Sequence, residues 1–251
     1  MPFIRYTSGG FAYLTPLDNL DAVVDALLDT GYDEEFCVAW DFDPLFAARL
    51  MKAGFLLMST ALNDDEDDGD AADTAGASAE KEKTFILLPK LHLVRSALFF
   101  PELHVKRSIR HLLPRYELRV NCDFERILDR CVAIHGDDWI TPPLQKILRE
   151  IRLLDDAPVR PVSFALYREG ELRAGEIGVV SGRVYTSYSG YYDEANAGTV
   201  QMILMVKYLE ETGFAFLDLG MPLDYKDLLG ARNISPRQFV ELFRSAQLCY
   251  N

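Results

Sequence analysis

No apolar run in this chain approaches the roughly 18 residues that a membrane-crossing helix needs. The first residues, Met1 to Arg5, lack the charged-then-apolar pattern of a secretory leader, so secretion is not expected. Cysteine is scarce. The four, at positions 37, 122, 131 and 249, form no CxxC and keep no regular spacing. They read as reduced cytosolic thiols rather than disulfides or metal ligands. The four histidines also lack metal-ligand spacing, and no Ser/His/Asp set stands out, so neither a metal nor a cofactor is expected. No internal repeat is visible. Bases are outnumbered, 26 to 39, giving a net charge of −13 that argues at first sight against a nucleic-acid partner. What is present is ordinary for a globular, cytoplasmic protein: 251 residues, 49% hydrophobic and 26% charged, enough for one large domain or two modest ones.

The charge is unevenly spread. Residues 63–80 hold eight acids and no base, which leaves −5 for the rest of the chain. That stretch is rich in Asp, Ala, Gly and Ser and poor in apolar residues, so a disordered acidic insertion is expected over 63–83. The opposite sign follows it. From Lys90 to Arg119 seven bases face two acids, Glu102 and Glu117. On a helix over 104–112, Lys106 and Arg110 would share a face with Arg107 beside them, a plausible phosphate footprint.

Local signals then give the order of elements. Asp18 or Asn19 caps a helix to Thr30 with Gly31 as its stop, and Asp43-Pro44 opens another that ends before Gly54. Strands are expected at 55–58 and 84–88, either side of the acidic insertion. A strand at 116–121 and helices from Asp123 and Pro142 follow. Past a linker at 154–161 the pattern changes to three strands separated by short turns at Glu169-Gly170 and Ser181-Gly182. A helix over 195–213, a buried strand over 214–219 and a last helix opened by Ser235-Pro236 complete the chain. The expected fold class is α+β, with an N-terminal α+β domain over 1–153 and a second domain over 154–251. Three antiparallel strands, a long helix and another strand are similar to the core of acetyltransferase-like (GNAT-type) mixed sheets. The stretch before that helix, Tyr191 to Gly198, carries Asp193 and Glu194 and one glycine, which disfavours an acyl-CoA diphosphate there.

Several segments together resemble the leucyl/phenylalanyl-tRNA–protein transferase family: DPLFAARLMKAGF (43–55), LHVKRSIR (103–110), DWIT (138–141), the hairpin around Gly178, EANAG (194–198) and FLDLGMPLDYKDLLG (216–230). The resemblance implies an enzyme that moves Leu or Phe from charged tRNA to the N-terminal amine of a protein, a step toward N-degron-directed degradation. Its partners would be aminoacyl-tRNA and an acceptor N-terminus. It implies tRNA contact by Lys106, Arg107 and Arg110 and by Trp139, whose indole can stack on a base. The positions lining the family's side-chain pocket fall on Tyr185, Met202, Met205, Leu217 and Glu176, the last at a position usually apolar. Asp218 matches the family's strand-end carboxylate. Tyr188 stands where the family has the glutamate of a GES motif, and Gly220 where it has a glutamine.

An aminoacyl ester is already activated, so an amine held against it needs little more than positioning, a proton acceptor and an oxyanion donor. The resemblance gives those roles to Asp218, as acceptor or electrostatic anchor, and to the Tyr188 hydroxyl. An open cavity between Tyr185, Tyr188, Met205 and Asp218 is then expected. Two alternatives stay open: an acetyltransferase-like enzyme with another acyl donor, and a relative that binds tRNA or an N-terminus without turnover.

Overall fold

The computed structural model describes residues 4–62 and 83–248; the expected acidic insertion, apart from Lys83, lies outside them, as does Cys249. The chain begins with a two-residue pair, β1 (Arg5–Tyr6) and β2 (Ala12–Tyr13), followed by α1 (Leu20–Thr30) and α2 (Pro44–Lys52). Sequence punctuation sets both helices. The Asn19 side chain accepts from Ala22 N, and Gly31 closes α1 in the left-handed region at φ 66°. Asp43 accepts from Phe46 N at 2.7 Å while Pro44 occupies the first helical position, where its missing N–H is no loss. A second hairpin pairs β3 (Leu56–Ala61) with β4 (Phe85–Lys90).

Next come β5 (Arg95–Leu98), a 3₁₀ turn at Phe100–Glu102 and α3 (Arg107–Arg110). The helix expected over 104–112 is therefore a single turn. Pro114 has no N–H to carry an α-helical hydrogen bond back to Arg110, so the α-helix does not continue and the chain passes into a 3₁₀ turn at Leu113–Arg115. After β6 (Glu117–Val120), α4 (Phe124–His135) and α5 (Pro142–Leu153) comes a meander of β7 (Arg160–Arg168), β8 (Glu171–Ser181) and β9 (Val184–Tyr192). Then α6 (Ala197–Glu211), β10 (Phe216–Gly220), α7 (Asp224–Leu228), β11 (Arg232–Ile234) and α8 (Pro236–Leu248) complete it.

Seven strands form one mixed sheet in the order β11-β5-β10-β9-β8-β7-β6. Only the β9–β10 pair is parallel, joined through α6 as a crossover demands. β5 runs antiparallel to β10 and β6 to β7, so segments from ahead of residue 154 supply two strands of this sheet. The division expected at 153/154 thus runs through the sheet instead of between two sheets.

The sheet has two differently covered faces. One packs on α2, α4, α5 and α8 through Leu50, Ile127, Ile147 and Phe239, with Val24 of α1 in the same core. The other packs on α6 and the 98–118 segment through Phe164, Tyr185, Ile203, Met205 and Ile109. Period-2 alternation along each strand decides which side chain meets which face. Gly178 has a particular task here. A Cβ there would stand 2.5 Å from Tyr185 Cζ and 2.3 Å from Thr186 O, so only glycine lets the Tyr185 ring cross β8.

Candidate active site

Asp218 stands in the middle of β10, completely buried. Its neighbours Leu217 and Leu219 point to the α6 face, so its carboxylate points to the other, toward α2 and α8. There Arg95 of β5 forks onto it, Nε donating to Oδ1 at 2.8 Å and Nη2 to Oδ2 at 2.5 Å. Gly220 N–H donates to Oδ1 at 3.0 Å and the Thr186 hydroxyl to Oδ2 at 2.8 Å. Four donors fill the roughly four lone-pair sites of a carboxylate. Burial alone would raise Asp218, but the Arg95 charge and these hydrogen bonds outweigh it and hold the carboxyl below its ordinary value. With these four donors in place, the Asp218 carboxylate has no lone pair left free to take a proton in this arrangement.

Arg95 is itself fully enclosed. Nη1 donates to Gly54 O at 3.2 Å and to His92 Nδ1 at 3.3 Å, and the guanidinium lies 4.0 Å from the centre of the Phe239 ring. Burial and the Arg95 charge push His92 down to about 2, so the imidazole is neutral. Gly220 at φ 68° turns the chain at a register shift in β10, which aims its N–H back at Asp218. The sequence offered Arg95 only as one base in a basic stretch, and its pairing with a residue 123 positions away had no local signal.

Tyr188 lies on this same face. Its hydroxyl accepts from Leu57 N at 3.0 Å, and its ring stacks on Trp139 with centroids 6.3 Å apart. Burial pushes its phenol well up, against the pull of the Leu57 N–H, so it stays a neutral hydroxyl with a proton left to donate. Trp139 is partly buried against the helix-rich core, and its carbonyl accepts from Ser59 N at 3.0 Å. The indole therefore packs a seam between β3 and the sheet.

The five pocket positions gather on the opposite face. Tyr185, Met202, Met205 and Leu217 share one buried cluster between the sheet and α6. Glu176 pairs across β7 and β8 with Phe164 of that cluster, which puts its side chain on the same face. Burial pushes its carboxyl up to about 7, against the hydroxyls of Ser187 and Tyr185 and the charge of Lys226. The expected cavity joining Tyr185, Tyr188, Met205 and Asp218 is not formed, because the sheet stands between Tyr185 and Met205 on one side and Tyr188 and Asp218 on the other. The crevice at Tyr188 is closed, lined by Phe124, Ile177 and Gly178 among others. A groove of about 440 Å³ between Tyr13, Pro16 and Trp40 includes none of the expected residues.

The basic segment lies on the pocket side, where Ile109 anchors it in the cluster beneath α6. Lys106, Arg107, Arg110 and Arg115 are exposed and make no ion pair among the described residues. Other members of the basic stretch are committed elsewhere: Lys90 to Glu35, Arg95 to Asp218, and Arg119 to Glu117. Of that basic stretch, four exposed bases without an ion pair remain within ten residues. The acids of the loop ahead of α6 are paired by neighbouring elements, Glu194 with Arg168 of β7 and Arg173 of β8, and Asp193 with Arg130 of α4. Among the described residues no group of three or more His, Cys, Asp or Glu is arranged to hold a metal ion. No described helix is long and apolar enough to cross a membrane.

A family model described as leucyl/phenylalanyl-tRNA protein transferase matches residues 97–244, from β5 into α8. The chain belongs to the leucyl/phenylalanyl-tRNA–protein transferase family. It is 34% identical over 152 residues to the leucyl/phenylalanyl-tRNA–protein transferase of Pseudomonas putida (strain W619), covering 59% of this chain and 66% of that protein. The relative from Azotobacter vinelandii is 31% identical over 150 residues, covering 58% of this chain and 65% of that one. The matched stretch is thus just under two thirds of the relatives' own length. The solved structure of L-PGS from Bacillus licheniformis aligns at a TM-score of 0.38 and 11% identity, over 96% of this chain and 80% of that one, a likeness too small to argue from. The stretch matched to the leucyl/phenylalanyl-tRNA–protein transferase family takes in every position expected to line a pocket, the basic segment, Tyr188 and Asp218.

Proposed function

We propose that the protein moves an amino acid from aminoacyl-tRNA to the N-terminal amine of an acceptor protein, in the cytoplasm, through an acetyltransferase-like domain. Family membership supports this reading. The observation that carries it is that the unpaired bases at 106, 107, 110 and 115 share one sheet face with all five pocket positions. A polyanion held by those bases can place its 3′ end over α6, with the esterified side chain against Tyr185, Met202, Met205 and Leu217. Met202 and Met205 can change rotamer to admit a guest, as unbranched thioethers do.

The ester needs no further activation, and holding the attacking amine against it supplies much of the rate, about 7–11 kcal/mol in well-oriented cases. Asp218 acts here as an anchor: its pairing with Arg95 ties β5 to β10 and fixes the strand that carries Leu217. Tyr188 retains a proton for hydrogen bonding, and stacked on Trp139 it braces β9 from behind the pocket. The domain that performs the transfer takes β5 and β6 from the first half of the chain, in addition to residues 154–251.

Incubation with a pool of radiolabelled aminoacyl-tRNAs and peptides of varied N-terminal residue tests the reading. Label is expected at peptide N-termini; label that stays on tRNA with folded protein refutes transfer. A charge reversal at all three of Lys106, Arg107 and Arg110 is expected to weaken tRNA binding on the order of 100-fold at physiological salt and to flatten its salt dependence. An unchanged slope in a filter-binding titration removes the footprint.

A further inference from the structure

On the pocket face, one side chain does not suit its surroundings. Glu176 is 5% exposed, and its Oε1 has no hydrogen-bond partner. The Tyr185 hydroxyl, wholly buried on the adjoining strand, has none either. The Ser187 and Tyr185 hydroxyls lie close enough to draw the Glu176 carboxyl down somewhat, but neither orphan oxygen makes a hydrogen bond of good geometry to offset its burial. The nearby cation is already committed: Lys226 Nζ donates to Leu219 O at 2.6 Å and Met221 O at 2.7 Å. Gly190, opposite Glu176 on β9, is exposed and lays no side chain over the carboxyl. The two orphan oxygens thus lie in the same buried layer, between the sheet and α6, as Met202, Met205 and Leu217.

We propose that Glu176, with Tyr185, receives the cationic head of the donor's side chain, so that this protein transfers a lysyl or arginyl group in preference to leucyl or phenylalanyl. This rests on the transferase reading above. Ammonium and guanidinium groups carry only donors, and both unpartnered oxygens can accept. The aliphatic stem of either residue suits the methionine and leucine surfaces, as long cationic side chains bury their methylenes and keep the head polar. A leucyl or phenylalanyl side chain would leave the Glu176 oxygen buried and unpaired, and a site built around such a group rejects guests that cannot satisfy it.

Two measurements on the full chain test this. Transfer rates are compared for tRNAs charged with Lys, Arg, Leu and Phe, for the wild type and for Glu176→Met, which removes the carboxyl. In parallel, affinities are measured for non-hydrolysable 3′-amino-3′-deoxyadenosine amides of lysine, arginine and leucine. The wild type is expected to favour a cationic donor over leucyl on the order of 100-fold in both, with Glu176→Met reversing the order. A wild type that favours leucyl or phenylalanyl, or an order that Glu176→Met leaves unchanged, overturns the proposal. If no tRNA supports transfer but the lysyl or arginyl amide binds more tightly than the leucyl amide in a Glu176-dependent way, the transferase reading fails and the recognition stands. If no amide binds preferentially, the recognition fails whatever the transfer assay gives.

Discussion

Arg95→Met is expected to lower the unfolding free energy by about 3–5 kcal/mol, the usual cost of stripping one partner from a buried ion pair. Asp218 would remain at 0% exposure with Thr186 and Gly220 as donors but without its counter-charge. The carboxylate then either stays ionised at high cost or takes up a proton and gives up the Gly220 or Thr186 bond. Adding Asp218→Asn to Arg95→Met should recover part of the loss, because no uncompensated charge is left inside. With Arg95 present, the depressed Asp218 value makes its contribution complete above the ordinary carboxylate range and lost as pH falls through the folded value. Denaturant titration at pH 7 decides the matter. A loss below about 1 kcal/mol for Arg95→Met would mean that the pair is not the tie between β5 and β10 described above, since that is the range of exposed ion pairs.

Glu176→Met is expected to stabilise the protein, and increasingly so as pH rises. The carboxyl is held at about 7 in the fold against an ordinary value of 4.5, so the folded state binds a proton that the unfolded chain has released. Stability tied to this group is therefore present below about pH 4.5 and lost as pH rises through about 7, amounting to roughly 3 kcal/mol across the window. His92 works in the opposite direction. Held at about 2 against 6.5, it costs stability as pH falls below its ordinary value. That contribution is common to wild type and variant and cancels in their difference. The difference should be small at pH 4 and approach its full size by pH 8; one that does not change with pH would place Glu176 in contact with water or a partner.

Capping residues announced the helices well: Asn19, Gly31, Asp43 and Pro44 each act where the sequence puts them. The meander of β7 to β9 was equally legible from its turns. Two strands of the sheet were not. β5 reads Arg-Ser-Ala-Leu and is buried on both faces, so it shows no alternation, and its Arg95 looks like a surface base until Asp218 is placed opposite. β11 is three residues long and mostly polar, too short for any periodic signal. The site suffered for a related reason. Motif resemblance gathered Tyr185, Tyr188, Met205 and Asp218 by position along the chain, whereas strand alternation turns Tyr188 and Asp218 to the face away from Tyr185 and from α6, which carries Met205. Glu176 shows the limit most plainly: its sequence position marked it as unusual, but only burial and an unpaired oxygen tell what is unusual about it.

The most direct test of where the donor sits is a crystal structure with a non-hydrolysable aminoacyl-adenosine amide bound. The aminoacyl side chain is expected on the α6 face, against Met202, Met205 and Leu217 with its end at Glu176, and the adenosine leading toward Lys106 and Arg110. An aminoacyl group lodged on the other face, between Tyr188, Trp139 and the Arg95–Asp218 pair, would contradict it.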